Sequence, residues 1–230
     1  MTATPWAEIT LHAPGYVGHE TRRALARLNA QAGSPLPEAF FHYRDGYPIS
    51  DSLPAIRIAG NNVLIRCTAL GREGVILLYE QARTLASLIM RAHGRVPAFR
   101  LSEGELRLEH TPYERPYRVR AAALNLAPSV REVLKRGALD DAAAVGGVRE
   151  VLQGALARSV QAWLPDERAP CIGEVTIERT VPVAHRGSGY RIAVTGTLRL
   201  PARLSGPWQI GCLQARGYGH LRAYRPARQG

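Results

Sequence analysis

The chain has 230 residues, of which 46% are hydrophobic and 21% are charged, a composition that suits a folded protein and argues against general disorder. Its formal net charge is +11, its pI is near 10.3, and Lys135 is the only lysine among its cations. Arginine stays protonated and its planar fork matches phosphate oxygens, so we expect a polyanionic partner and, with no membrane segment in view, a nucleic acid.

The cysteines, histidines and apolar runs argue against several classes of protein. Cys67, Cys171 and Cys212 are far apart and never form a C-x-x-C pair, which argues against a disulfide framework and a zinc site and predicts small buried residues. The histidines make no metal-ligand spacing, so we expect neither a metal nor another cofactor. Charges interrupt the apolar runs and no signal-peptide pattern is present, so we expect a cytoplasmic protein without membrane contact.

The first half of the chain alternates between strand and helix patterns. A strand at Trp6–Ala13 precedes a helix in "HETRRALARLNAQAG", and "EAFFHYRDG" alternates like a second strand. Two further strands are predicted around Asn61 and Asn62, followed by a helix from about Val75 to Ala92 and a strand in "GELRLEH". This β-α-β-β-α-β order is the ferredoxin-like unit, and we expect it to end near residue 112.

The second half repeats strands and helices in a looser order. A strand in "YRVRAAALNLA" leads to an Ala-rich helical stretch that Ser129 and Glu132 open as a capping box, giving two helices or a helical protrusion. The segments "GEVTIERTVPV" and "YRIAVTGTLRL" alternate strictly and predict a hairpin. A glycine-rich, basic tract, "GCLQARGYGHLRAYRP", follows and contains the last strand candidate, "HLRAY".

Basic side chains of the first helix and the second strand are the candidate catalytic residues. His19, Arg22 and Arg23 fall on the helix face opposite the apolar stripe, and His19 stands at the helix start, where unpaired N–H groups favour phosphate. His42 and Arg44 are two residues apart on the predicted strand and should point the same way, next to that helix. We therefore expect these histidines and arginines to converge.

Cutting RNA without a metal requires a base for the 2′-hydroxyl, an acid for the leaving 5′-oxygen and fixed positive charge at the phosphate. His19 and His42 can fill either proton-transfer role, while Arg23 or Arg44 can stabilise the transition state. A histidine is more often structural or solvated, and an arginine at such a site can serve binding alone, so both alternatives stay open.

The second half supplies candidate RNA-binding residues. In the terminal tract the glycines permit positive φ or a close backbone approach, and the basic and aromatic side chains can bind phosphates or stack on bases: Gly211, Arg216, Gly217, Tyr218, Gly219, His220, Arg222 and Tyr224. A glycine-punctuated hairpin with exposed arginines is the alternative. On the helical stretch Arg131, Lys135 and Arg136 either face an RNA stem or are solvated surface.

The ferredoxin-like first half and the late "GCLQARGYGHL" resemble the RAMP superfamily of CRISPR-associated proteins, in particular the endoribonucleases that cut precursor CRISPR RNA at each repeat. Gly211, Gly217, Tyr218 and Gly219 match the glycine-rich loop of that family, whereas Leu213 stands where a second glycine is common. The arginine richness, the "FHYRDGYPIS" region and the Gly/Ala-rich insertion look most like the processing subunit of type IV systems.

The resemblance implies an α+β fold of two ferredoxin-like (RRM-like) modules side by side, at 1–112 and 113–230. The second module would carry a helical insertion at about 128–164 and the glycine-rich RNA-binding loop. It further implies metal-independent cleavage within CRISPR repeats, leaving a 5′-hydroxyl and a 2′,3′-cyclic phosphate, and a mature crRNA that stays bound with other effector-complex subunits. A catalytic histidine at or near the first helix of the family maps to His19.

Two other functions remain open at this point. A non-catalytic RAMP-type subunit that only binds guide RNA would need the same charge and fold but no aligned acid and base. A metabolic enzyme on a ferredoxin-like fold would instead have a small apolar pocket and little affinity for RNA.

Overall fold

The computed structural model describes residues 3–18, 20–33, 35–44, 47–48, 53–95, 97–183 and 191–224. The protein is an α+β protein with antiparallel strands, as predicted. It divides into two compact units. The N-terminal unit consists of Thr4–Glu105 and Gln214–Gly217, and the C-terminal unit contains Leu106–Leu213 and residues 218–224.

The N-terminal unit is built on an antiparallel sheet. Its strands are β1 (Thr4–His12), β2 (Val17–Gly18), β5 (Ile56–Asn61) and β6 (Leu64–Leu70), in the order β2-β5-β6-β1, and a separate small hairpin pairs β3 (Tyr43–Arg44) with β4 (Tyr47–Pro48). The predicted turn between β5 and β6 is confirmed. Asn61 Oδ1 accepts hydrogen bonds from the backbone N–H groups of Val63 and Leu64, and Asn62 has a φ of 70°.

Helices cover one face of this sheet. They are α1 (Thr21–Ala30), α2 (Gly71–Glu80) and α3 (Ala82–His93), together with a 3-10 helix at Glu38–Phe41. In β1, Ala7, Ile9 and Leu11 are buried in the core with apolar residues of the helices, whereas Glu8 and Thr10 are only half-buried. This alternation assigns polar side chains to the opposite face of the sheet.

Two predicted elements of this unit are wrong in detail. The segment that was expected to form the second strand begins as the 3-10 helix Glu38–Phe41, because Phe40 and Phe41 are both buried and a strand would have sent one of them outward. The single helix expected from about Val75 to Ala92 is two helices that meet at Gln81, which caps the end of α2 and the start of α3.

The described residues of the C-terminal unit form four strands: β7 (Phe99–Leu124), whose residues from Leu106 belong here, β8 (Val175–Val183), β9 (Arg191–Ser205) and β10 (His220–Ala223). β9 and β10 pair with β7, and β8 pairs with β9, which gives the order β10-β7-β9-β8. Residue 112, the predicted end of the first module, lies within β7, and the two units divide after Glu105.

Two helices connect β7 to β8, as the first of the two alternatives for the insertion expected. These are α4 (Pro128–Lys135) and α5 (Ala142–Trp163), and α5 buries Val148, Leu152 and Leu156, so it is a core helix and not a protrusion. The predicted capping box is wrong: Ala127 is the N-cap, Pro128 follows it, and the Glu132 carboxylate instead accepts a hydrogen bond from Lys135 Nζ at 2.7 Å. Among the described residues no helix is long and apolar enough to cross a membrane.

Candidate functional site

Helix α1 begins in tight contact with strand β5. Thr21 is fully buried, and a Cβ on Gly60 would stand only 2.4 Å from Thr21 Oγ1, so the close approach requires glycine at that position. Leu25, one turn later, is also fully buried. The helix therefore turns its first basic residues outward: Arg23 is exposed and Arg22 is half-buried.

The glycine-rich tract contributes a short segment to the N-terminal unit. Gln214–Arg216 forms a 3-10 helix that packs against β5 and contacts α1, and Gln214 and Ala215 are buried. Gly217 closes the segment with a φ of +79°, and a Cβ there would lie 2.3 Å from the Ala59 Cβ. The backbone of Arg216 is thus placed beside α1, which carries Arg22 and Arg23, while the side chain of Arg216 lies outside the described residues.

The other glycines of the tract fix its ends to the C-terminal unit. Gly211 has a φ of +95°, and a Cβ there would lie 2.8 Å from the Ala123 carbonyl oxygen. Gly219 has a φ of +80°, its N–H donates to the carbonyls of Arg120 and Ala121 at 3.1 Å, and a Cβ would lie 1.8 Å from the Ile210 carbonyl oxygen. Of the two roles that the sequence allowed these glycines, positive φ is observed, and both glycines serve close packing on the unit's own backbone.

Of the other candidate catalytic residues, His42 does not lie on a strand. It caps the 3-10 helix Glu38–Phe41 with left-handed backbone angles, φ 59° and ψ 44°, and its side chain is half-buried. The prediction that His42 and Arg44 point the same way along one strand is wrong, because the strand begins only at Tyr43. The side chain of Arg44 and the whole of His19 lie outside the described residues, so their roles stay predictions.

A basic strip runs across strands β10 and β7 of the C-terminal unit. His220 pairs with Arg120 and Arg222 with Arg118, so the four residues form two adjacent cross-strand pairs. Tyr117 and Val119 point into the core, while Arg120 and Arg222 are exposed and Arg118 is half-buried. Arg118 and Arg120 were not among the predicted RNA-binding residues, although the alternation in "YRVRAAAL" already placed them on the polar face.

Arg118 contacts an aromatic ring and a carboxylate at one end of this strip. Its guanidinium carbon lies 5.7 Å from the centre of the Tyr224 ring, and its Nη2 is 2.5 Å from Glu178 Oε2. Tyr224, expected to be a platform for bases, is therefore held by an arginine. Next to it, the His220 ring nitrogens lie 3.2 and 3.4 Å from Gln209 Nε2, and Tyr218 is half-buried.

The basic residues of α4 form a separate group. Lys135 and Arg136 are exposed and Arg131 is half-buried. The hydrogen bond and charge of Lys135, followed by the charges of Arg136 and Arg131, hold the pKa of Glu132 below its usual range. This exposed ion pair contributes little to stability.

Thiols and metal-binding clusters are not part of this arrangement. Cys67 is fully buried as predicted, but Cys171 is exposed and Cys212 is half-buried, so the expectation of three buried cysteines is wrong for the last two. Over the described ranges, no group of three or more His, Cys, Asp or Glu side chains is arranged to hold a metal ion.

A sequence model of the family described as Type IV CRISPR-associated endonuclease Csf5 matches residues 17–226 of this chain. A search of the curated proteins finds no match to the sequence.

Solved structures share the fold. The structure titled "Csf5, CRISPR-Cas type IV Cas6 crRNA endonuclease" is 18% identical, with a TM-score of 0.69 over 97% of this chain and all of that chain. The structure titled "Crystal structure of Cas6b" is 15% identical, with a TM-score of 0.69 and the same coverage. A structure titled "Crystal structure of CRISPR RNA processing endoribonuclease Cas6b" is 13% identical, with a TM-score of 0.60 over 96% of this chain and all of that chain.

Proposed function

The chain belongs to the family of type IV CRISPR-associated endonucleases, and from this premise we propose that it cleaves CRISPR precursor RNA within its repeats without using a metal. The family match over residues 17–226 supports the reaction class, crRNA processing. The observation that carries the proposal for the site is the packing of Gln214–Gly217 against β5 and α1.

This packing brings a second arginine-bearing segment into contact with α1. Arg23 is exposed on the first turn of α1, and Arg22 precedes it on the same turn. Arg216 is the last residue of the 3-10 helix that contacts α1. Arginine keeps its proton at any working pH, so such a group supplies the fixed charge that a crowded, negatively charged phosphate needs as it reacts.

The proposed reaction forms one bond, breaks another and transfers two protons. The 2′-oxygen bonds to the neighbouring phosphorus as the bond from phosphorus to the 5′-oxygen breaks, which gives a 2′,3′-cyclic phosphate and a 5′-hydroxyl. A base removes the proton of the 2′-hydroxyl and an acid protonates the leaving 5′-oxygen. We assign these roles to His19 and His42, and charge stabilisation to Arg23 and Arg44.

We assign binding of the RNA backbone to the basic strip of the C-terminal unit. Phosphate contacts supply most of the affinity of such complexes, and the exposed Arg120 and Arg222 occupy neighbouring strands. Arg131 and Lys135 of α4, with Arg136 at the C-cap of that helix, supply further cations. Tyr218 with the glycine-rich tract would contact unpaired nucleotides. The same contacts would keep the product bound beside other CRISPR effector subunits.

The test uses purified full-length protein and labelled repeat RNA in EDTA. Cleavage that leaves a 5′-hydroxyl and a 2′,3′-cyclic phosphate supports the proposal. The variant Arg23→Ala tests the site, and Arg27→Ala is its matched control because Arg27 is exposed one turn further along α1. Cleavage that requires added metal would overturn the proposed mechanism. Tight repeat binding without any cleavage would instead identify the chain as a non-catalytic RNA-binding subunit.

A further inference from the structure

The helix-free face of the N-terminal sheet contains an open pocket of about 520 Å³. All of its lining residues belong to the N-terminal unit, and those that carry chemistry are Glu8, Thr10, His12, Arg66, Phe99 and Arg100. Its volume lies within the usual range for small-ligand sites, roughly 300 to 1,000 Å³. Neither α1 nor the glycine-rich tract lines it, so the cleavage site described above does not account for it.

The strand register explains how the pocket is assembled. Thr10 on β1 lies opposite Arg66 on β6, and Glu8 lies opposite Thr68. Side chains two residues apart on a strand share a face, so Glu8, Thr10 and His12 project together. Thr68 Oγ1 donates to Glu8 Oε2 at 2.9 Å, which orients the carboxylate and leaves its second oxygen to accept from a ligand.

The two arginines of the pocket take no part in ion pairs of the described residues. Arg66 is half-buried and Arg100 is exposed. Phe99, next to Arg100, leaves 52% of its surface exposed. A pair of guanidinium groups outside any ion pair, beside an exposed aromatic ring, is the combination that binds a phosphate and stacks on a base.

From this combination we propose that the pocket binds one unpaired nucleotide of RNA, with its phosphate on Arg66 and Arg100 and its base on Phe99. Bases in a duplex are stacked inside it, so only an unpaired nucleotide can present a face to Phe99. Glu8 accepts from the exocyclic amino group of the base, which favours cytosine over uracil among the pyrimidines. The assignment rests on the proposed function to the extent that the nucleotide belongs to the substrate RNA.

The experiment measures binding of fluorescent hexacytidylate and hexauridylate to the full-length protein by anisotropy. We expect hexacytidylate to bind more tightly. Phe99→Ala should weaken it by roughly 5- to 150-fold, the cost of removing one base–aromatic stack. Arg66→Ala with Arg100→Ala should reduce the salt slope by about 0.7, the contribution of one phosphate of a single strand. Glu8→Gln should remove the preference for cytosine. The matched control is Arg83→Ala with Arg91→Ala, two exposed residues of α3 that do not line the pocket.

A photo-crosslinking hexamer separates this pocket from other basic surfaces. Crosslinks that map to the peptide containing Phe99 support the proposal, and crosslinks that map only elsewhere overturn it. Unchanged hexacytidylate binding in the Phe99 and double arginine variants also overturns it. Cleavage of the full repeat RNA in EDTA is measured on the same proteins. Absence of cleavage by the wild-type protein removes the proposed function, while intact cleavage with hexamer binding unchanged in the pocket variants removes only the pocket.

Discussion

Gly217 lies against Ala59 so closely that a Cβ on Gly217 would stand 2.3 Å from the Ala59 Cβ, and its φ of +79° is one that other residues rarely adopt. Ala59 lies on β5, the strand that Gln214–Arg216 packs against. The Gln214–Gly217 segment is therefore built into the N-terminal unit by close contact with β5, and the position of the glycine decides whether the backbone of Arg216 stays beside α1.

We expect Gly217→Ala to displace this segment. The left-handed backbone alone costs roughly 1–2 kcal/mol with a Cβ, and the overlap with Ala59 adds roughly 1–3 kcal/mol. Gly137→Ala is the matched control, because Gly137 has a φ of +83° but nothing within 4 Å of an added Cβ. Denaturant titration should show the larger loss of stability for Gly217→Ala, with slower RNA cleavage. Equal losses of stability in the two variants would show that the contact with Ala59 does not contribute to stability.

Arg23 should matter more for the chemical step than for binding. Removing one group that stabilises developing charge costs about 10²- to 10³-fold in rate, so Arg23→Ala should slow single-turnover cleavage by that order while repeat binding weakens much less. Arg27→Ala should cleave at nearly the wild-type rate, although Arg27 is exposed on the same helix. If both variants weakened binding equally and left the saturated rate unchanged, Arg23 would be a binding residue only.

The basic strip of β7 and β10 should determine the salt dependence of RNA binding. Replacing Arg120 or Arg222 with alanine should lower the slope of log affinity against log salt by about one for each phosphate that the protein no longer neutralises. Arg149, which is exposed on α5, provides the control and should leave the slope unchanged. Fluorescence anisotropy over a salt series measures the slopes. A change in the Arg149 variant equal to that of Arg120 would mean that net charge alone, and not the strip, sets the affinity.

The cysteines should differ sharply in reactivity. Burial and, after it, the charge of Glu8 raise the pKa of the Cys67 thiol to about 12, so the reactive thiolate is nearly absent near neutral pH. Cys171 is exposed. Iodoacetamide followed by peptide mass spectrometry should therefore modify Cys171 within minutes and Cys67 only after denaturation. Rapid modification of Cys67 in the native protein would contradict the packing of the N-terminal core.

Regular elements with a clear period could be predicted from the sequence. Strand β1 and the hairpin around Asn61 and Asn62 follow from alternation and turn chemistry, and Thr21 and Leu25 are buried on α1 as its helical spacing requires. The polar face of "YRVRAAAL" was readable in the same way. The predictions were wrong where tertiary packing overrides a local pattern, as at Phe40 and Phe41, which are both buried in the core.

The candidate site depended on features that no local pattern reveals. The backbone of Leu213 is left-handed, with a φ of 60°, so this position takes the conformation that glycine would favour although its residue is leucine. The return of Gln214–Gly217 to the N-terminal unit brings it to α1, which lies far away along the chain, and spacing in the sequence carries no information about such a contact. Only the predicted backbone flexibility of the tract pointed toward it.

The most direct test of the cleavage site is a double-mutant cycle between Arg23 and Arg216, measured as single-turnover cleavage of repeat RNA in EDTA at saturating protein. If α1 and the Gln214–Gly217 segment act on the same phosphate, each alanine variant slows cleavage and the double variant loses less than the sum of the two single losses in activation free energy. Wild-type rates in Arg216→Ala, or strictly additive losses, would contradict a shared site.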